Sequence, residues 1–395
     1  MSDTALLAAL LAGIAGVLAG RAWAAARRRG GSSDRPEFRS SPHYSQGLHY
    51  LTQGHTALAV SELSKVVRED PDAVEVSQVL GDLLREVGQV ERAIAVHQGL
   101  LARNDITRAE RAHAFASLGT DYRKAGFIDR AKRTFESALE IDAGNIHALI
   151  GIEKLSEDGG QWQEAFRVQT RLARLRKTDD TRVLAHLQAE LGQQAMRAGE
   201  LDAAERAFRA ALALDRQVFP AHLGLADLYA VRDPAKAAEV LERAVELVPE
   251  RAYLAFERLD RLFTACGDPA RFTQLVERII RQDPRDWRAR LALARRLSSE
   301  GRGDEALGLL RRAAEVAPHV LLIHLEVWRA LRSRGLDPAA VDSYIRSAEE
   351  SVFYRDPHIC TACRYRADDM LWRCPHCHQW GTYVEERVAP TASSG

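Results

Sequence analysis

The sequence predicts an all-α protein in which a solenoid of helical hairpins lies between a membrane anchor and a small metal-binding module. The composition is rich in Ala, Leu, Arg and Glu, which favour helices, and only 7% of the 395 residues are aromatic. A repeat of about 34 residues recurs along most of the chain. Four of the five cysteines lie in one short window after the repeats. The 55 basic side chains balance the 55 acidic ones, which argues against nucleic acid as a partner.

Residues 1–26 are predicted to form a single-pass transmembrane anchor. Residues 4–20 are uncharged and largely apolar. At about 1.5 Å per residue, roughly 17 residues span about 26 Å of a bilayer. Extension through Trp23 and Ala26 makes the helix long enough for a full crossing. Three arginines follow at 27–29, so the positive-inside rule predicts that the body of the protein faces the cytoplasm.

Two alternatives to this anchor stay open. A cleaved signal peptide would explain the small residues around Trp23, although its positive charge should precede the apolar run rather than follow it. A helix buried in a globular core is the other alternative. Ala12, Gly16 and Gly20 are spaced four apart, which favours close packing of two anchors in a homodimer or against a membrane partner. Residues 27–43, rich in Gly, Ser and Pro, are predicted to be a flexible linker.

Residues 44–351 carry the repeats. Each unit has a small residue in its first helix, Gly at the turn and Ala early in its second helix. The clearest units read Gly119, Tyr122, Gly126, Ala131, Phe135, Ala138 and Gly192, Ala195, Gly199, Ala204, Phe208, Ala211. Small residues let two helices approach, Gly permits the turn, and bulky residues fill the groove of the next unit.

This spacing is typical of tetratricopeptide repeats. It predicts a right-handed superhelical solenoid of about eight hairpins with a concave groove that binds protein partners. A helical bundle without true repeats is the alternative.

No catalytic motif is found within the repeats, and the chain is predicted not to be an enzyme. The sequence lacks a phosphate-binding Gly loop ending in Lys-Ser/Thr, a G-x-S-x-G elbow and an H-E-x-x-H pair. Cys266, beside a Gly-Asp-Pro turn, is predicted to be an inert core thiol. The scattered histidines follow no metal-ligand spacing, and most of them are predicted to lie on the surface or in the groove; they are His49, His55, His97, His113, His147 and His222.

Residues 352–395 are predicted to form a metal-binding module. Cys360, Cys363, Cys374 and Cys377 form two C-x2-C pairs, which can present four thiolates to one tetrahedral metal ion. Such a closed shell leaves no position for water, so the ion is expected to be structural. Zinc is favoured over iron as the bound metal.

The second pair, in the sequence CPHC at 374–377, resembles a rubredoxin knuckle. Rubredoxin knuckles typically continue with Gly, whereas Arg364 and His378 occupy these positions, which weakens an electron-transfer interpretation. The module is also rich in aromatic residues, which are predicted to form a miniature core, to dock onto the solenoid, or both; they are Tyr365, Trp372, Trp380 and Tyr383.

The order of anchor, repeats and rubredoxin-like module resembles the lipopolysaccharide assembly protein B family of Gram-negative bacteria. Local sequence supports the resemblance at 81–98 (GDLLREVGQVERAIAVHQ) and at 371–380 (LWRCPHCHQW). The resemblance implies an inner-membrane protein that restrains lipopolysaccharide synthesis as a protease adaptor. It implies that the partners are a membrane-bound AAA+ protease, the lipid A pathway deacetylase presented to it, and an inner-membrane lipopolysaccharide-sensing protein. The four ligand cysteines carry over one for one.

Two other functions stay open at this point. The chain could be a membrane scaffold that organises a lipopolysaccharide synthesis or transport complex without directing proteolysis. It could also be a redox protein that uses iron at the four cysteines, although no flavin or nicotinamide fingerprint accompanies them.

Overall fold

The computed structural model describes residues 37–333, 341–342 and 358–386. Its helices in chain order are a 3-10 helix at Glu37–Ser40, α1 (Pro42–Thr52), α2 (Thr56–Glu69), α3 (Val74–Glu86), α4 (Val90–Leu101), α5 (Arg108–Lys124), α6 (Ile128–Ile141), α7 (Ile146–Asp158), α8 (Trp162–Arg176), α9 (Thr181–Arg197), α10 (Leu201–Leu214), α11 (Phe219–Tyr229), α12 (Pro234–Leu247), a 3-10 helix at Pro249–Leu254, α13 (Phe256–Ala265), α14 (Pro269–Gln282), α15 (Trp287–Ser299), α16 (Gly303–Val316) and α17 (Leu321–Ser333). The chain divides after Leu155 into two compact units.

Consecutive helices pack as hairpins within each unit. In the first unit α1 packs on α2, α3 on α4 and α5 on α6, and in the second α9 packs on α10, α11 on α12 and α15 on α16. The glycines predicted at the turns all have φ between 75° and 82°; they are Gly54, Gly88, Gly126, Gly199 and Gly301. Glycine adopts this left-handed conformation without steric cost. The prediction of a mostly helical tetratricopeptide-repeat fold is therefore confirmed.

Two phenylalanines show how successive hairpins pack. Phe135 of α6 is fully buried, and a Cβ on Gly119 of α5 would lie 2.6 Å from its ring. A Cβ on Gly151 of α7 would overlap the same ring. Phe208 of α10 lies in the same way between Gly192 of α9 and the first helix of the next hairpin. Each ring occupies a space that exists because the helices on both sides carry glycine.

Gly192→Ala is expected to destabilise the second unit by about 1–3 kcal/mol, because overpacked cores lose stability of this order. The new Cβ would lie 2.5 Å from the ring of Phe208. Gly308→Ala in α16 is the matched control, since a Cβ there meets no atom within 4 Å. The control should stabilise the protein by about 0.5–1 kcal/mol through helix propensity. Urea unfolding followed by circular dichroism measures both variants, and equal changes would contradict the packing role of Gly192.

A buried ionic cluster replaces the phenylalanine in the second hairpin. The His97 ring of α4 packs against Gly81 of α3, where a Cβ would overlap it, as the Phe135 ring packs against its two glycines. His97 and Asp121 are both fully buried, and Nδ1 of the histidine lies 2.5 Å from Oδ2 of the aspartate. Arg85 forms a 2.7 Å ion pair with the other carboxylate oxygen. His97 is therefore an exception to the prediction that most histidines of the repeats lie on the surface or in the groove.

Two further side chains lie elsewhere than the sequence predicts. His222 of α11 is buried, and its Nε2 lies 2.9 Å from the carbonyl oxygen of Arg216, which precedes the helix. Cys266 is exposed rather than buried in the core, because it ends α13 at the turn to Gly267. The type of residue does not by itself predict either location, because a histidine can form a hydrogen bond to a buried carbonyl oxygen and a cysteine can lie at the exposed end of a helix.

Helical structure begins inside the segment 27–43, which we predicted to be a flexible linker. The 3-10 helix and the start of α1 lie there, and the Phe38 and Tyr44 rings pack edge-on with centroids 5.2 Å apart. The anchor predicted at 1–26 lies outside the described residues, so it stays a prediction together with its dimerising face. Within the described ranges, no helix has the length and apolar character needed to cross a bilayer.

The second unit ends in a small antiparallel sheet of β1 (His358–Cys360), β2 (Arg366–Ala367) and β3 (Tyr383–Glu385). The strand order is β2-β1-β3, with Ile359 opposite Arg366 on one side and Val384 on the other. An isolated bridge between Arg373 and Trp380 closes the turn between β2 and β3. This sheet follows the helical repeats and lies where the sequence places the four-cysteine module, although its strands were not predicted.

Candidate metal centre

The four predicted ligands lie on two turns of the small sheet. Cys360 ends β1, and Cys363 lies on the turn from β1 to β2. Cys374 and Cys377 lie on the turn that precedes β3. Because β1 pairs with both other strands, the two turns meet at one end of the sheet.

The structure brings the four thiols together into one cluster. Their Sγ atoms all lie within 4.8 Å of one another. The Sγ atoms of Cys360 and Cys377 are 3.6 Å apart, and so are those of Cys363 and Cys374. A disulfide needs a sulfur–sulfur distance of about 2.05 Å. Metal–sulfur bonds of about 2.3 Å in a tetrahedron give sulfur–sulfur edges of roughly 3.8 Å. The cluster therefore fits a tetrahedral thiolate-bound ion, a geometry that both zinc and iron adopt.

The charges of the cluster also favour a bound cation. Burial raises the pKa of the Cys360 thiol, but hydrogen bonds from the Thr382 hydroxyl and from the backbone of Cys363 and Ala362 outweigh it and lower the value to about 6. Burial and the neighbouring sulfurs raise the pKa of Cys377 to about 12. Thiols this close cannot all ionise unless a positive ion offsets their repulsion. The donor set is therefore suited to a metal ion.

Arg364 and His378 stand where rubredoxin knuckles typically carry glycine. Both adopt left-handed backbone, with φ of 64° and 59°. The Arg364 amide donates to the Cys360 carbonyl and the His378 amide to the Cys374 carbonyl, each at 2.9 Å. The two turns therefore share one backbone conformation and one hydrogen-bond pattern, although neither has glycine at this position. The departure from glycine does not by itself distinguish a zinc site from an iron site.

The aromatic side chains of the module divide between its own core and the solenoid. Tyr383 is buried among the cysteines. Trp380 and the partly buried Trp372 instead pack in a cluster with side chains of α8 and α9. Tyr365 stays exposed and stacks on His376. Both roles that the sequence left open are present.

Glu157 and His186 of the solenoid both contact Trp380 of the metal module. The His186 ring, buried on α9, stacks on the Trp380 indole with centroids 5.4 Å apart. Glu157 accepts a 2.8 Å hydrogen bond from the indole nitrogen and pairs with Arg373 at 2.7 Å. The Glu157 side chain is only 1% exposed. A buried carboxylate is costly unless it is paired, and these two partners belong to the metal module.

Three arginines of the solenoid form further contacts with the metal module. Arg288 of α15 forms a two-pronged ion pair with Glu385 of β3, and both side chains are largely buried. Arg182 and Arg251 both donate to the carbonyl oxygen of Gly381, at 2.6 and 3.3 Å. A Cβ on Gly381 would lie 2.6 Å from Arg182, and φ is 62° there, so glycine is required at this contact.

Acidification is expected to weaken this docking through His186. Burial, reinforced by the charges of Arg182 and Arg251, lowers the pKa of His186 from 6.5 to about 3. Above pH 6.5 His186 is neutral whether or not the module is docked, and docking is then most stable. As the pH falls from about 6.5 towards 3, the histidine takes up a proton only in the undocked state, so the stability of docking is lost. Between pH 7 and pH 5 the loss should be about 2 kcal/mol.

Hydrogen exchange of the amides in 358–386, corrected for intrinsic rates, measures this loss. His186→Leu is the comparison, because leucine does not titrate. The leucine variant should dock less tightly at pH 7 and lose less stability on acidification. The same pH dependence in both proteins would exclude His186 as the responsible group.

Two family models match parts of the chain. Residues 358–385 match a rubredoxin metal binding domain, and residues 44–112 and 190–252 match the tetratricopeptide repeat. Lipopolysaccharide assembly protein B of Escherichia coli strain K12 is 27% identical over 377 residues, which are 93% of this chain and 95% of that protein. The resemblance to lipopolysaccharide assembly protein B is confirmed. The protein of the same name from Haemophilus influenzae is 23% identical over 372 residues, 89% of this chain and 92% of its own.

Among solved structures, the C-terminal part of a TPR repeat-containing protein from Cytophaga hutchinsonii covers 72% of this chain and 99% of its own. It is 14% identical, with a TM-score of 0.44. The similarity to lipopolysaccharide assembly protein B extends over nearly the whole of both chains.

Proposed function

We propose that the chain is an inner-membrane adaptor that restrains lipopolysaccharide synthesis. In this proposal it presents the lipid A pathway deacetylase to a membrane-bound AAA+ protease, and an inner-membrane protein that senses lipopolysaccharide counteracts it. The observation that carries the proposal is the similarity to lipopolysaccharide assembly protein B over nearly the whole of both chains. Stacked helical hairpins also present extended surfaces to protein partners, which suits an adaptor better than an enzyme.

Each part of the chain has a role in this proposal. The anchor at 1–26 holds the body at the cytoplasmic face of the inner membrane, close to the protease. The hairpins offer docking surfaces. The four cysteines hold one metal ion, for which we favour zinc because a closed thiolate shell suits a structural ion. When bound, such an ion supplies folding free energy to a module with little core of its own.

The deacetylase half-life in cells with and without this gene tests the adaptor proposal. Depletion should lengthen the half-life several-fold, because the protease would lose the factor that delivers its substrate. Expression of Cys266→Ser, which leaves the four-cysteine cluster intact, should restore the short half-life. An unchanged half-life on depletion would contradict the adaptor role.

A scaffold for a lipopolysaccharide synthesis or transport complex is the second candidate. The word assembly in the name of the relatives favours it. Such a scaffold would co-purify with synthesis enzymes while the deacetylase half-life stayed the same. The iron-based redox alternative is tested on the purified protein, since a ferric four-thiolate centre is coloured and a zinc centre is colourless.

A further inference from the structure

A cleft of about 740 Å³ opens between the solenoid and the metal module in the second unit. The 3-10 helix Pro249–Leu254 and α14 line one side, and Met370 with β3 lines the other. Its volume lies within the range of roughly 300–1,000 Å³ that is usual for ligand clefts. The metal ligands do not line it, so the cleft is distinct from the metal centre.

Apolar side chains lie on both sides of the cleft. Leu275 and Ile279 belong to the solenoid side, and Met370 and Val384 to the module side. Val384 is 46% exposed, which is a large fraction for an apolar strand residue. A guest side chain between the two sides would remove apolar surface from water on both, which favours binding.

The cleft also carries an excess of negative charge. Five carboxylates line it against three arginines; the carboxylates are Glu246, Glu250, Asp283, Asp286 and Glu385, and the arginines are Arg251, Arg278 and Arg288. Each arginine already contacts an acceptor of the protein. Arg288 pairs with Glu385, Arg251 donates to the Gly381 carbonyl, and Arg278 lies 3.8 Å from Glu246.

Two of the remaining carboxylates, Glu250 and Asp283, are available to a partner. Asp286 is the N-cap of α15: it accepts a hydrogen bond from the Ala289 amide and also interacts with the charge of Arg288. Asp283 accepts a hydrogen bond from the backbone amide of Arg285, which does not offset its charge. Glu250 and Asp283 are exposed, and they lie in the segments that flank the cleft. The complementary ligand is therefore positively charged.

We propose that this cleft docks an extended segment of a partner protein in which apolar and basic side chains alternate. The apolar sides of the cleft take the apolar side chains, and Glu250 and Asp283 pair with the basic ones. Met370 and Val384 belong to the metal module, so the cleft is complete when the module is folded and docked. Partner capture is thereby coupled to metal loading. The recognition chemistry goes beyond the proposed function and does not depend on it.

Fluorescence anisotropy of a labelled peptide tests this docking site. The probe is acetyl-Gly-Lys-Leu-Lys-Leu-Lys-Gly-amide, titrated with the full metal-loaded chain, and the same peptide with Glu in place of Lys is its control. The lysine peptide should bind at least tenfold more tightly than the glutamate peptide. Glu250→Lys combined with Asp283→Lys should weaken binding at least tenfold, and Val384→Ser should weaken it as well.

The matched control variant combines Asp202→Lys with Glu136→Lys, two exposed positions away from the cleft. It should bind the lysine peptide as the unmodified chain does. All variants should keep their metal content and helical circular dichroism, which separates lost docking from lost folding.

Several results would overturn the proposal. They include no binding of the lysine peptide at millimolar concentration, equal binding of both peptides, and equal losses in the cleft and control variants. A dimer that Glu250→Lys with Asp283→Lys dissociates would show that a second copy occupies the cleft instead. Tighter peptide binding after removal of residues 387–395 would show that the chain itself occupies it. The deacetylase half-life does not enter this test, so the two proposals can fail separately.

Discussion

Cys374→Ser is expected to release the bound metal and unfold the metal module while the solenoid stays helical. The Cys374 sulfur belongs to the four-thiol cluster, and the Tyr383 hydroxyl donates to it at 3.8 Å. Metal binding contributes roughly 10–16 kcal/mol to the folding of small zinc domains, so loss of one ligand removes most of the stability of the module. Elemental analysis should show loss of the metal. Hydrogen exchange should show lost protection across 358–386.

Cys266→Ser is the matched control for this variant. Cys266 is exposed at the end of α13 and lies outside the cluster, so its substitution should leave metal content and exchange unchanged. Unfolding of the module should also expose amides of α9, because Trp380 would no longer cover His186. If Cys374→Ser kept both the metal and the protection, the four-thiolate assignment would be wrong.

Asp121→Asn is expected to destabilise the first unit by roughly 3 kcal/mol, the lower end of the cost of breaking a buried ion pair. The Asp121 carboxylate is fully buried between His97 and Arg85. The asparagine keeps the shape of the side chain but removes the negative charge that both partners contact. Urea unfolding followed by circular dichroism measures the change in the free energy of unfolding.

Glu136→Gln on α6 is the control for this substitution. Its side chain is exposed, so the same loss of charge should change stability by less than about 0.5 kcal/mol. Similar values for the two variants would mean that the buried cluster contributes no net stability, which happens when desolvation cancels the ionic attraction.

The repeats could be predicted because their signals are local. Gly126 and Gly199 recur at the same place in the pattern, and the backbone needs positive φ there whatever the rest of the chain does. The spacing from Gly119 to Phe135 reappears from Gly192 to Phe208, and both pairs are in contact. A period of this kind reports contacts between neighbouring helices, which are close in sequence.

The buried cluster of the second hairpin could not be predicted in the same way. His97 occupies the position of Phe135 in the pattern, but its partner Asp121 lies on the next hairpin, 24 residues away. Nothing in the type of either residue distinguishes a buried pair from two exposed polar side chains. The available signal was that His97, a polar residue, occupies a position where the repeat pattern predicts a core side chain.

The docking of the metal module onto the solenoid also could not be predicted from the sequence. Glu157 and Trp380 are 223 residues apart, and Arg288 and Glu385 are 97 residues apart. No spacing rule connects residues at such distances. The high aromatic content of the module indicated a second packing surface, but it did not say which helices of the solenoid would receive it.

The sequence by itself determined the class of the repeats, the turn glycines and the four cysteines, because these depend on local backbone conformation or on ligand spacing within a short turn. Only the tertiary structure decided which charges are buried, where the metal module docks and that a cleft with acidic and apolar sides lies beside it. These features arise where surfaces meet only after the chain has folded. The contacts that stabilise them join residues far apart in the sequence, and no sequence pattern connects such residues.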